Sequence, residues 1–285
     1  MLLPGFASLI IFRYVPMYGV LIAFQRFQPH LGFWKSPWVG LAHFRSFFDN
    51  PMAVRCVRNT LILSGYNILF SFPAPVILAL LLNEVMRMRF KRVVQTVTYL
   101  PYFISTVVIV GIMSNILSPS SGIVNQIIKS LGGNEIYFMG DLKYYRTLFT
   151  GSDIWQGIGM GTIIYLAALA GVSSELYEAA IVDGANRFQQ MLYITLPGIL
   201  STIAVLFILR MGSFMSVSLE RTLLMQNGLN MEVSDIIATL VYQRGLKGGQ
   251  FSFATAVDLM NNVLGLVLLT VANYLSRRFT DSSLW

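Results

Sequence analysis

Charged residues make up only 12% of this 285-residue chain, against about 25% in a soluble domain. A single cysteine, Cys56, excludes an internal disulfide. The two histidines, His30 and His43, lie 13 positions apart with no cysteine or acidic cluster beside them, so metal-ligand spacing is missing. No Gly-Lys dipeptide occurs. A nucleotide-binding P-loop ends in Gly-Lys-Ser/Thr, so the chain is no P-loop ATPase. The formal charge is +7, yet no Lys/Arg block is interleaved with aromatics, which argues against a nucleic-acid partner. The start shows no cleavable signal peptide, because a basic n-region is missing and the first apolar stretch is too long for an h-region. That stretch begins almost at Met1, which leaves open a cytoplasmic leader ahead of it. No segment alternates over about ten residues as a β-barrel strand does. No internal repeat is visible, which counts against a secondary transporter built from inverted repeats.

What is present is apolar length. Hydrophobic residues are 55% of the chain and mean hydropathy is +0.65. Six runs stand out, at about Leu2–Phe24, Asn59–Leu82, Val93–Leu117, Ile154–Val172, Gly198–Leu219 and Phe251–Leu275. Each is near the ~20 residues a helix needs to cross a bilayer. The expected fold is therefore an all-α polytopic membrane protein, one domain over residues 1–285. Pro16, Pro73, Pro75 and Pro101 fall in or beside these runs and predict kinks, tolerated where neighbours satisfy the freed carbonyls.

Six crossings put both termini on one side. Arg87, Arg89, Lys91 and Arg92 in the second connection, with Arg277 and Arg278 in the tail, assign that side to the cytoplasm. Arg45, Arg55 and Arg58 on the opposite side weaken the asymmetry. In the first outer connection, Trp34, Trp38, Phe44, Phe47 and Phe48 predict a short helix at the membrane–water boundary. The third outer connection, "ERTLLMQNGLNMEVSDIIATLVYQRGLKGGQ", predicts a helix over Glu232–Tyr242. It is either a partner-binding surface or a lid on the bundle's own rim.

Between the fourth and fifth runs lies "ELYEAAIVDGANRFQQMLYITLPG". Ser173 or Ser174 can cap a helix carrying Glu175 and Glu178 in its first turn. Tyr177, Ala180, Ile181, Gly184, Phe188 and Met191 recur at helical spacing, with Glu178, Asp183, Arg187 and Gln190 on other faces. Gly184 permits a turn and Pro197 suits the first turn of the next helix. The reading is two short helices over 173–197, joined at a small-residue bend and lying on the cytoplasmic surface.

"EAAIVDG", nine residues, then "ITLP" resembles the EAA loop of ABC importer permeases. All seven specified positions match: Glu178, Ala179, Ala180, Gly184, Ile194, Leu196 and Pro197. "PMYGVLIAF", "FPAPVILALLLNE" and "TIIYLAALAG" extend the resemblance over nearly the whole chain, toward type I importers of complex oligosaccharides and, more narrowly, of alginate oligosaccharides. The resemblance implies a non-catalytic permease subunit in a bacterial cytoplasmic (inner) membrane. Its expected partners are a second homologous permease, two ATPase subunits that bind ATP and Mg, and an extracytoplasmic sugar-binding protein. The implied coupling residues are Glu178, Ala179, Ala180, Asp183, Gly184, Ala185, Arg187 and Phe188.

Polar residues at membrane depth are candidates for the sugar pathway. Asp258, Asn261, Asn262 and Gly265 share one face of the sixth run; Tyr66, Asn67 and Tyr165 are further candidates. Each could equally serve interhelical hydrogen bonding. Arg13 and Arg210 could meet a carboxylated sugar, or an internal partner such as Asp258. Gly157, Gly159 and Gly161 predict close helix packing. The competing classes are a secondary transporter, which would need no ATPase, an ABC permease for amino acids or peptides, and a membrane-embedded enzyme, for which no nucleophile–base pair is found.

Overall fold

The computed structural model describes residues 2–280, 283 and 284; Met1 and Trp285, the termini assigned to the cytoplasm, lie outside the described residues. Among the described residues every regular element is helical and the only bridge pairs Gln25 with Trp38. Three helices are long and apolar enough to cross a membrane: Leu3–Phe24, Pro51–Asn83 and Phe251–Arg278. Three bent pairs bring the number of crossings to as many as six.

The bends have local causes. The expected third run is not one helix: Met88–Phe103 and Thr106–Ile116 meet at 103°. Pro101 ends the first arm, Ile104 is extended, and the Ser105 side chain accepts the amide of Val108 to start the second. The fourth helix, Leu142–Leu169, begins well before the expected Ile154, because Asp141 caps it by accepting the amide of Lys143 at 2.8 Å.

Packing divides the chain into two compact units, Met1–Thr60 with Asp235–Leu264, and Leu61–Ser234 with Gly265–Trp285. In the first unit, the Leu3–Phe24 helix turns Leu3, Phe6, Ile10 and Phe12 outward, as a lipid-facing helix does. The connection after the first run folds as Gly32–Lys35 and Ala42–Phe48. Trp34, Trp38 and Phe48 are exposed, but Phe47, expected at the boundary, is 2% exposed and packs against Phe253. His43 is bonded to the carbonyl of Gln25 at 3.0 Å. The Glu232–Tyr242 helix expected from sequence is broken: Met231–Ser234 ends the second unit's segment, and Ile237–Val241 starts in the first unit after an extended Ile236. Asp235 causes the break within this unit. Its carboxylate accepts from Arg55 at 2.6 Å, its carbonyl accepts from Asn59 at 3.0 Å, and the next turn's Ile237 amide donates to Thr60.

In the second unit the Leu142–Leu169 helix is central. An apolar core of Val76, Ala79, Tyr165, Leu169 and Ile199 is completed by Leu166, Val172, Ile203 and Leu206. Two of the three clustered glycines permit close approach. A Cβ at Gly159 would strike the carbonyl of Thr98, and one at Gly161 would come within 2.9 Å of Pro75. Gly157 has nothing within 4 Å, so its expected packing role is not met. Gly265, placed by its spacing on the polar stripe, is a packing residue: a Cβ there would strike the carbonyl of Gly212. The start of the connection between the fifth and sixth runs is a built structure. Asn230, 0% exposed, donates to the carbonyls of Met139 and Met225 and accepts from the amide of Asn227 and from Ser234.

Candidate functional site

Two places in the second unit concentrate polar chemistry. The first is the segment between the Leu142–Leu169 helix and the next long helix. Ser173 accepts the amide of Glu175 and opens the helix Ser174–Val182. The chain bends by 74° between that helix and the preceding one. Gly184 ends it with φ +80°, a region that favours glycine. The amide of Ala185 donates to the carbonyl of Ala180 at 2.8 Å and that of Gly184 to Ile181 at 3.0 Å. This pair of bonds across a left-handed glycine is the Schellman helix stop. Asn186 then starts Arg187–Gln190 with a reciprocal capping box to Gln189.

The second short helix does not stop at Pro197, the expected start of the next one. It runs on through a π-helical turn, Met191–Thr195, and through Leu196–Gly198. The bend of 58° comes one residue later, before Leu200–Gly212. Thr195, 0% exposed, receives the phenol of Tyr177 at 3.0 Å, and the Gln190 amide reaches the carbonyl of Ala185 at 2.9 Å, so the two arms brace one another. The helical stripe read from sequence is only partly buried. Tyr177 turns inward, but Ile181 is 62% and Phe188 66% exposed, and Val182, outside the stripe, is 87% exposed. Glu178, Ala179, Asp183 and Gly184 are exposed, Ala180 and Ala185 half-buried. Arg187 lies against the sulfur of Met86 at 3.1 Å. Among the described residues Glu178 meets no hydrogen-bond or ion-pair partner. Glu178 thus stands exposed on the same short helix as the exposed side chains of Ile181 and Val182.

The second place is a pair of cavities of about 360 and 480 Å³ that share Asn67, Asp153, Arg210 and Ser213. Serines 64, 216 and 218 line the first; Gly157 and Tyr165 line the second. A polar chain runs along the walls. Arg210 Nε donates to Asn67 Oδ1 at 2.8 Å, with Nη2 on the same oxygen, and Asn67 donates to Asp153 Oδ2 at 3.2 Å. Asp153 Oδ1 takes Arg221 Nη1 at 2.8 Å. Arg221 Nη2 donates to Gln156, whose amide reaches the carbonyl of Ile104 at 2.9 Å. Burial presses the Arg221 guanidinium below its usual range and the Asp153 carboxylate works against that; arginine stays protonated in either case.

Of the candidates named from sequence, Asn67 and Tyr165 therefore line cavities. Tyr66 packs its ring against Phe70 at 5.6 Å. Asp258 and Asn262 are exposed and Asn261 half-buried on a helix of the first unit. Arg210 is bonded to Asn67, where Asp258 was the partner considered from sequence. Asp153, Gln156 and Arg221 were missed. The signal for Asp153 was available: an acid one residue outside the fourth run, with a glutamine three positions on, is on the same helical face.

Residues 71–281 match the family described as "Binding-protein-dependent transport system inner membrane component". The chain is 48% identical to Protein LplB of Bacillus subtilis (strain 168), covering 100% of this chain and 90% of that protein. It is 44% identical to the polygalacturonan/rhamnogalacturonan transport system permease protein YteP of the same organism, covering 100% and 89%. Its fold is similar to that of a chain in the crystal structure of a bacterial ABC transporter involved in the import of the acidic polysaccharide alginate. The TM-score is 0.91 and the identity 41%, covering 98% of this chain and 94% of that one. The same holds for a chain of a bacterial alginate ABC transporter in complex with alginate pentasaccharide-bound periplasmic protein, with TM-score 0.92, identity 39% and coverage of 100% and 95%. With an all-helical membrane fold and a family match over most of its length, this chain belongs to the inner-membrane permease components of binding-protein-dependent transport systems.

Proposed function

We propose that the whole chain is one translocation subunit of an ATP-driven importer of oligosaccharides, acidic ones included. The observation that carries this reading is the outward-facing pair of short helices around Gly184, whose apolar and acidic side chains have no internal partner to explain them. A relative named for polygalacturonan/rhamnogalacturonan transport and fold neighbours named for alginate import support the cargo class. The subunit pairs with a second, homologous permease and receives its sugar from an extracytoplasmic binding protein. Two ATPase subunits bind ATP and Mg and supply the energy. Both termini face the cytoplasm of a bacterial cell, on the side of the docking surface. There Glu178 makes the polar contact, Ala179 and Ala180 allow close approach, and Asp183, Gly184 and Ala185 form the turn that presents Arg187 and Phe188. Tyr66, Asn67, Tyr165, Asp258, Asn261 and Asn262 remain the pathway candidates, with Asn67 and Tyr165 favoured because they line cavities.

The test is reconstitution with the partner subunits, followed by binding-protein-stimulated ATP hydrolysis and uptake of oligouronates. Gly184→Trp should abolish the stimulation while the protein still inserts and the pathway candidates are untouched. Sugar uptake by the purified chain without any ATPase subunit would establish the secondary-transporter alternative instead.

A further inference from the structure

The two cavities of the second unit have an uneven charge. Of all the residues lining them, only Arg210 and Asp153 are charged. Asp153 is already matched by Arg221, whose side chain is 5% exposed and which bonds it at 2.8 Å. Arg210 meets no acid within ion-pair distance among the described residues. Its Nε and Nη2 converge on one neutral acceptor, the Oδ1 of Asn67. Two guanidiniums and one carboxylate leave the network with one positive charge to spare. Glu220 precedes Arg221 in sequence and acts on it electrostatically, but it is exposed and lines neither cavity.

An uncompensated charge in a membrane-spanning bundle is costly and is retained where it has work to do. The surroundings specify that work. Ser64, Ser213, Ser216 and Ser218 line the first cavity, and Tyr165 lines the second. Hydroxyls and aromatic rings suit a sugar, and a guanidinium whose Nη1 donates to nothing else among the described residues suits a carboxylate, which it binds in a two-point fork. Asn67 orients the fork. Arg221 keeps Asp153 from neutralising it, for a carboxylate accepting from Arg221 is a weaker competitor for Arg210 than a free one. We infer that Arg210 is the specificity-determining residue of this cavity, binding the carboxylate of a uronate sugar, with Asn67 and the Asp153–Arg221 pair as its positioning residues. The inference rests on the permease reading above and deepens it.

The test uses the complete complex in lipid nanodiscs, without binding protein, so that the binding protein's own selectivity does not enter. The probes are a galacturonate trimer and the same trimer with each carboxyl reduced to an alcohol. The wild type should bind the acidic trimer more tightly. Arg210→Gln should weaken the acidic trimer about tenfold or more and leave the reduced trimer nearly unchanged. Arg210→Lys keeps the charge but loses the fork, so it should retain only part of the preference. Asn67→Asp places a carboxylate against Arg210 without removing it, so it should also erase the preference; an Arg210 with a merely structural role would hold as well or better in that variant. Equal weakening of both trimers by Arg210→Gln, an unchanged preference in Asn67→Asp, or no binding of the acidic trimer to the wild type would each overturn the assignment. Uptake with binding protein and ATP, measured alongside, separates the two levels. Oligosaccharide uptake with no role for Arg210 leaves the permease reading standing, and no oligosaccharide uptake at all removes both.

Discussion

The phenol oxygen of Tyr177 lies 3.0 Å from the hydroxyl of Thr195, a residue with no exposed surface. This bond ties the exposed Ser174–Val182 helix to the returning π-helical turn. Tyr177→Phe removes the bond and leaves the ring in place. Thr195 keeps its bond to the carbonyl of Gln190 at 3.3 Å, so no buried hydroxyl is orphaned. The loss should be about 1 kcal/mol, read as a fall of about 2–4 °C in the melting temperature of the solubilised complex. An unchanged melting curve would show that the two arms are held by packing alone.

Gly184 isolates a backbone effect. A Cβ at this position would meet nothing within 4 Å, while φ is +80°. Any penalty for substitution therefore comes from the left-handed conformation and not from crowding. Gly184→Asn should be tolerated, and Gly184→Val should cost more than the roughly 1–2 kcal/mol typical of an ordinary side chain there. Hydrogen exchange reads this locally: the amide of Ala185, bonded to Ala180, should exchange faster in the valine variant and near the wild-type rate in the asparagine variant. Equal exchange in both would contradict the helix-stop account.

Gly157 and Gly159 form a matched pair on one helix. A methyl group at Gly159 would overlap the backbone oxygen of Thr98, whereas one at Gly157 would meet open space. Gly159→Ala should destabilise the fold by about 1–3 kcal/mol, because the obstacle is backbone and cannot rotate away. Gly157→Ala should be neutral or stabilising by a few tenths of a kcal/mol, since alanine is the better helix former. Thermal unfolding of the two variants side by side checks both, and the reverse order would mean that the helix pair is packed differently.

The parts of this structure legible in the sequence are those fixed within one turn of chain. The Ser173 cap and the Gly184 bend follow from local chemistry, and both stand in the structure. The run of apolar spans was legible for the same reason. What escaped are pairings between distant positions. Asp153 and Arg221 are 68 positions apart, and Asn67 and Arg210 are 143 apart. No periodicity links such residues, and hydropathy reads each of them only as an interruption. The burial of Phe47 escaped likewise, because its partner Phe253 is remote in sequence. The 103° break after Pro101 is an intermediate case: the proline foretold a kink, but the size of the turn depends on Ser105 acting as a cap.

The exposed side chains of Ile181, Val182, Phe188 and Tyr193 also bear on the life of the subunit before assembly. On the proposed reading, they are covered only once an ATPase subunit has docked. A copy made in excess of its partners keeps this patch in contact with the cytosol, where quality-control proteases and chaperones recognise bare apolar surface. Stoichiometric production of the subunits is then a condition of survival for this one, and its steady-state abundance is set by the scarcer partner.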